Sequence, residues 1–149
     1  MTAVYILTAF AGFLLMEFVA WFTHKYIMHG PMWEWHKDHH IPHDKTFEKN
    51  DRFVFLFALP GVGLILGGIL GSLPTILSAG IGIAIYGLAY FLFHDVLVHK
   101  RIKLFKDTSN KILKATVAAH LDHHKPHSHQ NFGFLLAPVK YYKQEFRKK

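Results

Sequence analysis

Ten histidines recur in a fixed order along this chain, and imidazole is a neutral nitrogen donor well suited to transition metals. The octapeptide HKDHHIPH at residues 36 to 43 returns as HLDHHKPH at residues 120 to 127, with four histidines, an aspartate and a proline in matching places. Ahead of each copy stands a pair five residues apart, His24 and His29 in HKYIMH, then His94 and His99 in HDVLVH. The repeated unit is therefore a five-spaced pair followed by a triplet.

In the triplets His36, His39, His40 and His120, His123, His124, the i, i+3, i+4 spacing predicts three imidazoles on one helical face, a facial set of nitrogen donors. The five-spaced pairs behave differently. On a regular helix, positions i and i+5 diverge by about 140°, so each pair needs a helix end or a local distortion to face one point. Gly30 and Pro31 support such a break after the first pair. Pro42 and Pro126 disfavour helix at the residue before them, which leaves His43 and His127 beyond the helix ends as candidates for a supporting role. His129 reads as ordinary surface. Two pairs and two triplets supply too many donors for one ion and suit two metals with about five ligands each; iron, zinc, copper and nickel all accept imidazole. The chain has no Cys, which excludes thiolate-ligated haem, iron–sulfur clusters and zinc–thiolate sites.

What must position these donors is a membrane scaffold. Residues 2 to 23 form an apolar run that as a helix is roughly 33 Å long, enough to cross a bilayer core. It lacks a basic leader and a small-x-small cleavage pattern, so it reads as a retained span. Residues 53 to 71 and 74 to 93 are two further uncharged runs and predict a transmembrane hairpin. Pro60 is expected to kink the second span, and Gly63, Gly67 and Gly71 to offer a smooth stripe for helix packing. The predicted fold is all-α: one membrane-embedded unit over residues 1 to 149, with about three spans and histidine-rich helical segments at 24 to 43 and 94 to 127 forming a cap that holds a dimetal site.

Charge placement gives an independent check. All 17 Lys and Arg lie between Lys25 and Arg52 or between Lys100 and Lys149, and the 13 histidines fall in the same two segments or, as His24, His94 and His99 do, just ahead of them. By the positive-inside rule both segments face the cytoplasm. Membrane topology thus accounts for a pI near 9.6, and nucleic-acid binding is not expected. The cluster Lys100, Arg101, Lys103 and Lys106 suits either anionic lipid headgroups or an acidic protein partner.

The segments HKYIMHG, WHKDHHIPH, FHDVLVHKR and AHLDHHKPH, together with MEFVAWFTHKYIMHG and NFGFLLAP, resemble the β-carotene hydroxylase family, within the fatty-acid hydroxylase and sterol desaturase superfamily. The resemblance covers nearly the whole chain and has the short length of bacterial members. It implies a non-haem di-iron oxygenase of the bacterial inner membrane. Such an enzyme uses O2 and two external electrons to place a hydroxyl on carbon 3 of a β-ionone ring, taking β-carotene through β-cryptoxanthin to zeaxanthin. The family's ligands map onto His24, His29, His36, His39, His40, His94, His99, His120, His123 and His124. Zinc can replace iron in a purified sample, since imidazole binds both.

A physical argument stands beside the resemblance. A forty-carbon polyene is about as long as a bilayer core is thick, ~30 Å, so its ring reaches the interface where the histidines gather. Trp21, Phe22, Trp33, Trp35, Phe91 and Phe93 either line a dry approach or form an interfacial belt. Glu17, the acidic residue inside a predicted span, shares a helical face with His24. It is expected either to accept a hydrogen bond from the ligand surroundings or the substrate path, or to serve as a paired structural carboxylate. Asp95 is a candidate partner for a ligating histidine, while Asp38 and Asp122 should point away from the flanking histidines. The C-terminal NFGFLLAPVKYY is expected to lie at the interface and cover the site. No glycine fingerprint for a flavin or nicotinamide is present, so a separate ferredoxin or reductase must supply electrons. The rival chemistries are acyl-chain or sterol hydroxylation or desaturation and carotenoid ketolation; metal transport would call for ligands at mid-membrane.

Overall fold

The computed structural model describes residues 1–41, 47–102, 108–125, 128 and 130–148. Pro42, His43, Lys103, Lys106, Pro126, His127 and His129 lie outside them. Among the described residues the regular structure is all helical. Helix α1 (Thr2–Phe22), α3 (Arg52–Leu70) and α4 (Pro74–Tyr90) are the three apolar rods, and with the helical turns that adjoin them, as Thr2–Met28, Lys49–Leu70 and Pro74–Val98, each is long and apolar enough to cross a membrane. A single turn, α2 (Trp33–His36), leads into a 3₁₀ segment (Lys37–His40). Helices α5 (Lys111–His123) and α6 (Val139–Arg147) pair through Ala115, Ala119 and Tyr141. Asn110 caps α5, its side-chain oxygen accepting from the N–H groups of Ile112 and Leu113 at 2.9 and 3.2 Å.

Helix α4 lies between α1 and α3. Backbones approach closely where glycines remove side chains. Gly12 faces Ala79 and Gly82 faces Ala9 between α1 and α4, while Gly61, Gly68 and Gly80 join α3 to α4. This corrects the expected glycine stripe. A Cβ at Gly63 or Gly67 would meet nothing within 4 Å, so those residues face outward and the packing face is the one carrying Gly61 and Gly68. Pro60 lies within the continuous α3. The outward faces of the rods carry exposed Leu14, Phe18, Leu59, Leu66, Ile85 and Leu88. An apolar exterior around a small buried cluster of Met16, Ala20, Tyr86 and Phe134 is the arrangement a hydrocarbon solvent permits.

Candidate metal centre

The five-spaced pairs are solved by π-helix. Helix α1 runs into a π segment at Thr23–Met28, and α4 into another at Phe91–Val98. In this wider turn the N–H of residue i+5 bonds the carbonyl of residue i. The bonds that close the two pairs are these: His29 N–H donates to the His24 carbonyl at 3.1 Å, and His99 N–H to that of His94 at 2.9 Å. Residues five apart thereby share a face, with ring centroids 5.0 Å apart for His24 and His29 and 4.5 Å for His94 and His99. After His29 the chain passes so close to the Tyr26 carbonyl that a Cβ on Gly30 would collide with it. After His99, Lys100 takes a left-handed φ of 53°. Each device ends the rod just beyond its second histidine.

The ring nitrogens converge in two sets. His24, His29, His36, His40 and His123 form one, and His39, His99, His120 and His124 the other, with donor atoms inside each set within 4.8 Å of one another. His94 joins the second set through His39, their Nε2 atoms 3.1 Å apart. The sets adjoin, since the rings of His40 and His124 stack at 4.3 Å. The division corrects the expectation that each triplet serves as one facial set. His36 and His40 face the first set while His39 turns to the second; His120 and His124 face the second while His123 turns to the first. On a helix, i+3 and i+4 lie about 100° apart on either side of position i, so a triplet straddles two targets.

The hydrogen bonds on the far nitrogens fix the tautomers. His24 Nδ1–H donates to the Phe132 carbonyl at 2.9 Å and His123 Nδ1–H to the Gln130 carbonyl at 2.8 Å. His36 Nδ1 donates to Asn50 Oδ1 at 2.7 Å, His39 to Glu48 Oε2 at 2.8 Å, and His94 to Asp95 Oδ1 at 2.9 Å. Each neutral ring then presents a bare Nε2 lone pair inward. Yet Nε2 atoms of His24 and His123 lie 3.1 Å apart, as do those of His24 and His36. Lone pair against lone pair at that distance is repulsive and calls for a cation between them. Two nitrogens at about 2.1 Å from one ion and at right angles are about 3.0 Å apart, against about 3.4 Å at a tetrahedral angle. The observed 3.0 to 3.1 Å contacts therefore fit ions with more than four ligands.

Electrostatics keep the donors neutral. Burial, reinforced by repulsion from neighbouring imidazoles, pushes His40 and His124 down to about 2. Burial also takes His36 to about 4, and burial with the Arg101 charge takes His99 to about 4. Protons are thus weak competitors for these nitrogens.

Beyond the histidines lies a ring of carboxylates. Arg101 grips Asp51 with two bonds of 2.7 and 2.8 Å and stands 3.6 Å from Asp95. Asp51 accepts from the Glu48 N–H at 3.0 Å. Arg101 is therefore tied into the centre and not part of a free docking surface. Lys49 N–H donates to Asp38, while Asp122 accepts from Lys125 and Tyr141, so both aspartates point away from the donor sets. Glu17 is a clamp on the chain: it accepts from the Tyr86 hydroxyl at 2.7 Å and from the N–H groups of Phe134, Leu135 and Leu136 at 3.1 to 3.2 Å. That strap carries the Phe132 carbonyl and lays the Phe134 ring on His24 at 4.6 Å. Trp33 lies against His29 and His40.

A model of the fatty acid hydroxylase family matches residues 9–140. The chain belongs to the fatty acid hydroxylase family. It is 42% identical over 127 residues to the β-carotene hydroxylase of Pseudescherichia vulneris, covering 83% of this chain and 72% of that one. It is 40% identical over 135 residues to the β-carotene hydroxylase of Pantoea ananas, covering 89% and 77%. With chloroplastic β-carotene 3-hydroxylase 2 of Arabidopsis thaliana it shares 39% over 112 residues, 73% of this chain and 37% of that one. Within its family the chain thus groups with the β-carotene hydroxylases. No solved structure matches it. In this family member the histidines were readable from spacing, whereas Asn50, Glu48, Asp51 and Arg101 were not; the one hint was the polar run EKNDR just ahead of an apolar span.

Proposed function

We propose that the chain is a β-carotene 3-hydroxylase whose ten histidines hold two iron ions, His24, His29, His36, His40 and His123 on one and His39, His94, His99, His120 and His124 on the other. The observation that carries this is the inward convergence of Nε2 atoms at 3.0 to 3.1 Å, with the Nδ1 protons of His24, His36, His39, His94 and His123 engaged outside. The similarity to proteins named β-carotene hydroxylase supports the substrate. Iron in both sets supplies the activation of O2; zinc would fill the same nitrogens without redox chemistry. Overall, a ring C–H, O2, two electrons and two protons give C–OH and water.

The chain's own residues orient and insulate. Backbone carbonyls, Asn50, Glu48 and Asp95 hold the imidazoles of His24, His36, His39, His94 and His123 in one tautomer. Phe134 and Tyr90 stack on His24 and His94 and exclude water from the side that faces the apolar rods. In this reading electrons come from a separate ferredoxin or reductase, and the basic segments support a centre on the cytoplasmic side of a bacterial inner membrane. Expression in cells that accumulate β-carotene, with chromatography of the pigments and metal analysis of the purified protein, tests the reading. The expected result is zeaxanthin, and two metals per chain. Untouched β-carotene beside two bound metals would overturn the substrate and send the search to acyl chains and sterols; less than one bound metal would overturn the centre.

A further inference from the structure

Helices α3 and α4 are joined tightly at one end and part at the other. Near their connecting turn, a Cβ at Gly68 would lie 2.5 Å from the Leu77 nitrogen, one at Gly80 2.8 Å from Ile65, and one at Gly61 2.9 Å from Ile83. One turn further toward the histidines the contact ends, and a Cβ at Gly87 would meet nothing within 4 Å. The opening is a wedge-shaped cavity of about 390 Å³ between α3, α4 and the inner face of α1. Small residues make it, with Ala58 and Gly61 on α3 opposite Ala84 and Gly87 on α4. Val54 and Val62 on its rim are half exposed, so the cleft opens sideways on the surface that the rods present to lipid.

Its dimensions choose an occupant. Lining residues recur along one face of α3 from Phe53 to Ile65, a length of about 18 Å at the helical rise. That is somewhat more than half of a ~30 Å bilayer core. The walls are apolar except at the histidine end, where Asn50, Asp51 and Asp95 already serve His36, Arg101 and His94. The inner end is closed by Phe134 and Tyr90, which meet edge to face at 4.9 Å and lie on the rings of His24 and His94 at 4.6 Å each. A rigid apolar rod as long as the bilayer would fill the cleft with one end and leave the other in lipid.

Resting on the β-carotene reading, we propose that this cleft seats one ring and the adjoining half of the polyene, admitted sideways from the bilayer. Gly87 and Ala84 set its width, and Phe134 and Tyr90 form the floor on which the ring halts beneath the histidines. The distal ring stays outside, so each end of the molecule enters separately.

Induced circular dichroism tests this, because β-carotene is achiral and silent in lipid but acquires a visible signal in an asymmetric protein site. Metal-loaded protein in lipid discs is titrated with β-carotene as wild type, G87L, A84L and G67L. Gly67 also faces open space but lies outside the cleft. Wild type and G67L should give a signal saturating near one carotene per chain, whereas G87L should weaken binding at least tenfold with its metal content intact. Should G87L lose its metals, A84L on the same wall decides by the same reading. Equal signals from the wild type and the cleft variant, or none from wild type, overturn the proposal. Wild-type turnover separately judges the function: a signal lost in G87L without any zeaxanthin from wild type would leave the cleft standing and remove the hydroxylase reading.

Discussion

His24, His36, His39, His94 and His123 each work through both nitrogens, one facing the metal position and the other tied to an oxygen. Asn50 is the clearest case, because its Oδ1 holds His36 Nδ1–H at 2.7 Å and both residues are buried. Replacing Asn50 by Ala should lower metal affinity in the first set by roughly 10- to 100-fold, seen as a metal content well below that of the wild type after dialysis against a weak chelator. An unchanged metal content would show that Asn50 does not hold His36 for the metal. The pH response follows from burial. His36 and His99 are shifted from the usual 6.5 down to about 4, so both stay neutral at pH 6 and protons displace metal only as pH falls toward 4. Metal content measured at steps from pH 7.5 to 3.5 should hold to about pH 5 and then collapse; loss already between 7 and 6 would mean that the donors are solvated. The ten histidines were readable because their chemistry and spacing repeat. Of their outer partners Asp95 was legible, because it adjoins His94 and accepts from its Nδ1–H; the others were not, since backbone carbonyls of Gln130 and Phe132 leave no trace in residue type and Asn50 lies far from His36 in sequence.

Rod boundaries were legible almost to the residue, because hydropathy changes sharply where lipid must end; expected spans at 2 to 23, 53 to 71 and 74 to 93 compare with Thr2–Phe22, Arg52–Leu70 and Pro74–Tyr90. What hydropathy does not encode is the winding of a helix, so the i+5 pairs signalled only that some distortion was needed. The π segments at Thr23–Met28 and Phe91–Val98 are that distortion. The packing face of α3 was misassigned for a related reason: four-residue spacing marks a smooth stripe without saying which neighbour it meets. The strap at residues 132 to 137 depends on Glu17, whose oxygens accept from three backbone N–H groups and Tyr86. In Glu17→Gln an amide NH2 would oppose an N–H donor, costing about 2 kcal/mol. A lower melting temperature and a depleted first metal set are expected, read by calorimetry and metal analysis. An unchanged variant would show that the strap is held by other contacts.

The chain as a unit is apolar outside, basic on one side, and crossed through the middle. Helix α6 presents exposed Val139 and Phe146 beside Lys140, Lys143 and Arg147, a pattern suited to the interface and to an acidic electron donor. Turnover with an acidic ferredoxin should fall several-fold between low and moderate salt, as Debye screening requires; a flat rate would remove long-range attraction from the account. The crossing of His39 and His123 has a larger consequence. Each half of the sequence keeps four histidines for its own set and lends one to the other, so neither half can complete a coordination shell by itself. The first ion to bind must draw the two halves together, and the second finds its donors already gathered. Binding of the two ions is then positively cooperative, with the assembly cost met once. Native mass spectrometry of chain given half its complement of iron should show mainly empty and doubly loaded molecules, and an excess of singly loaded ones would mean that the two halves are already docked before any metal arrives.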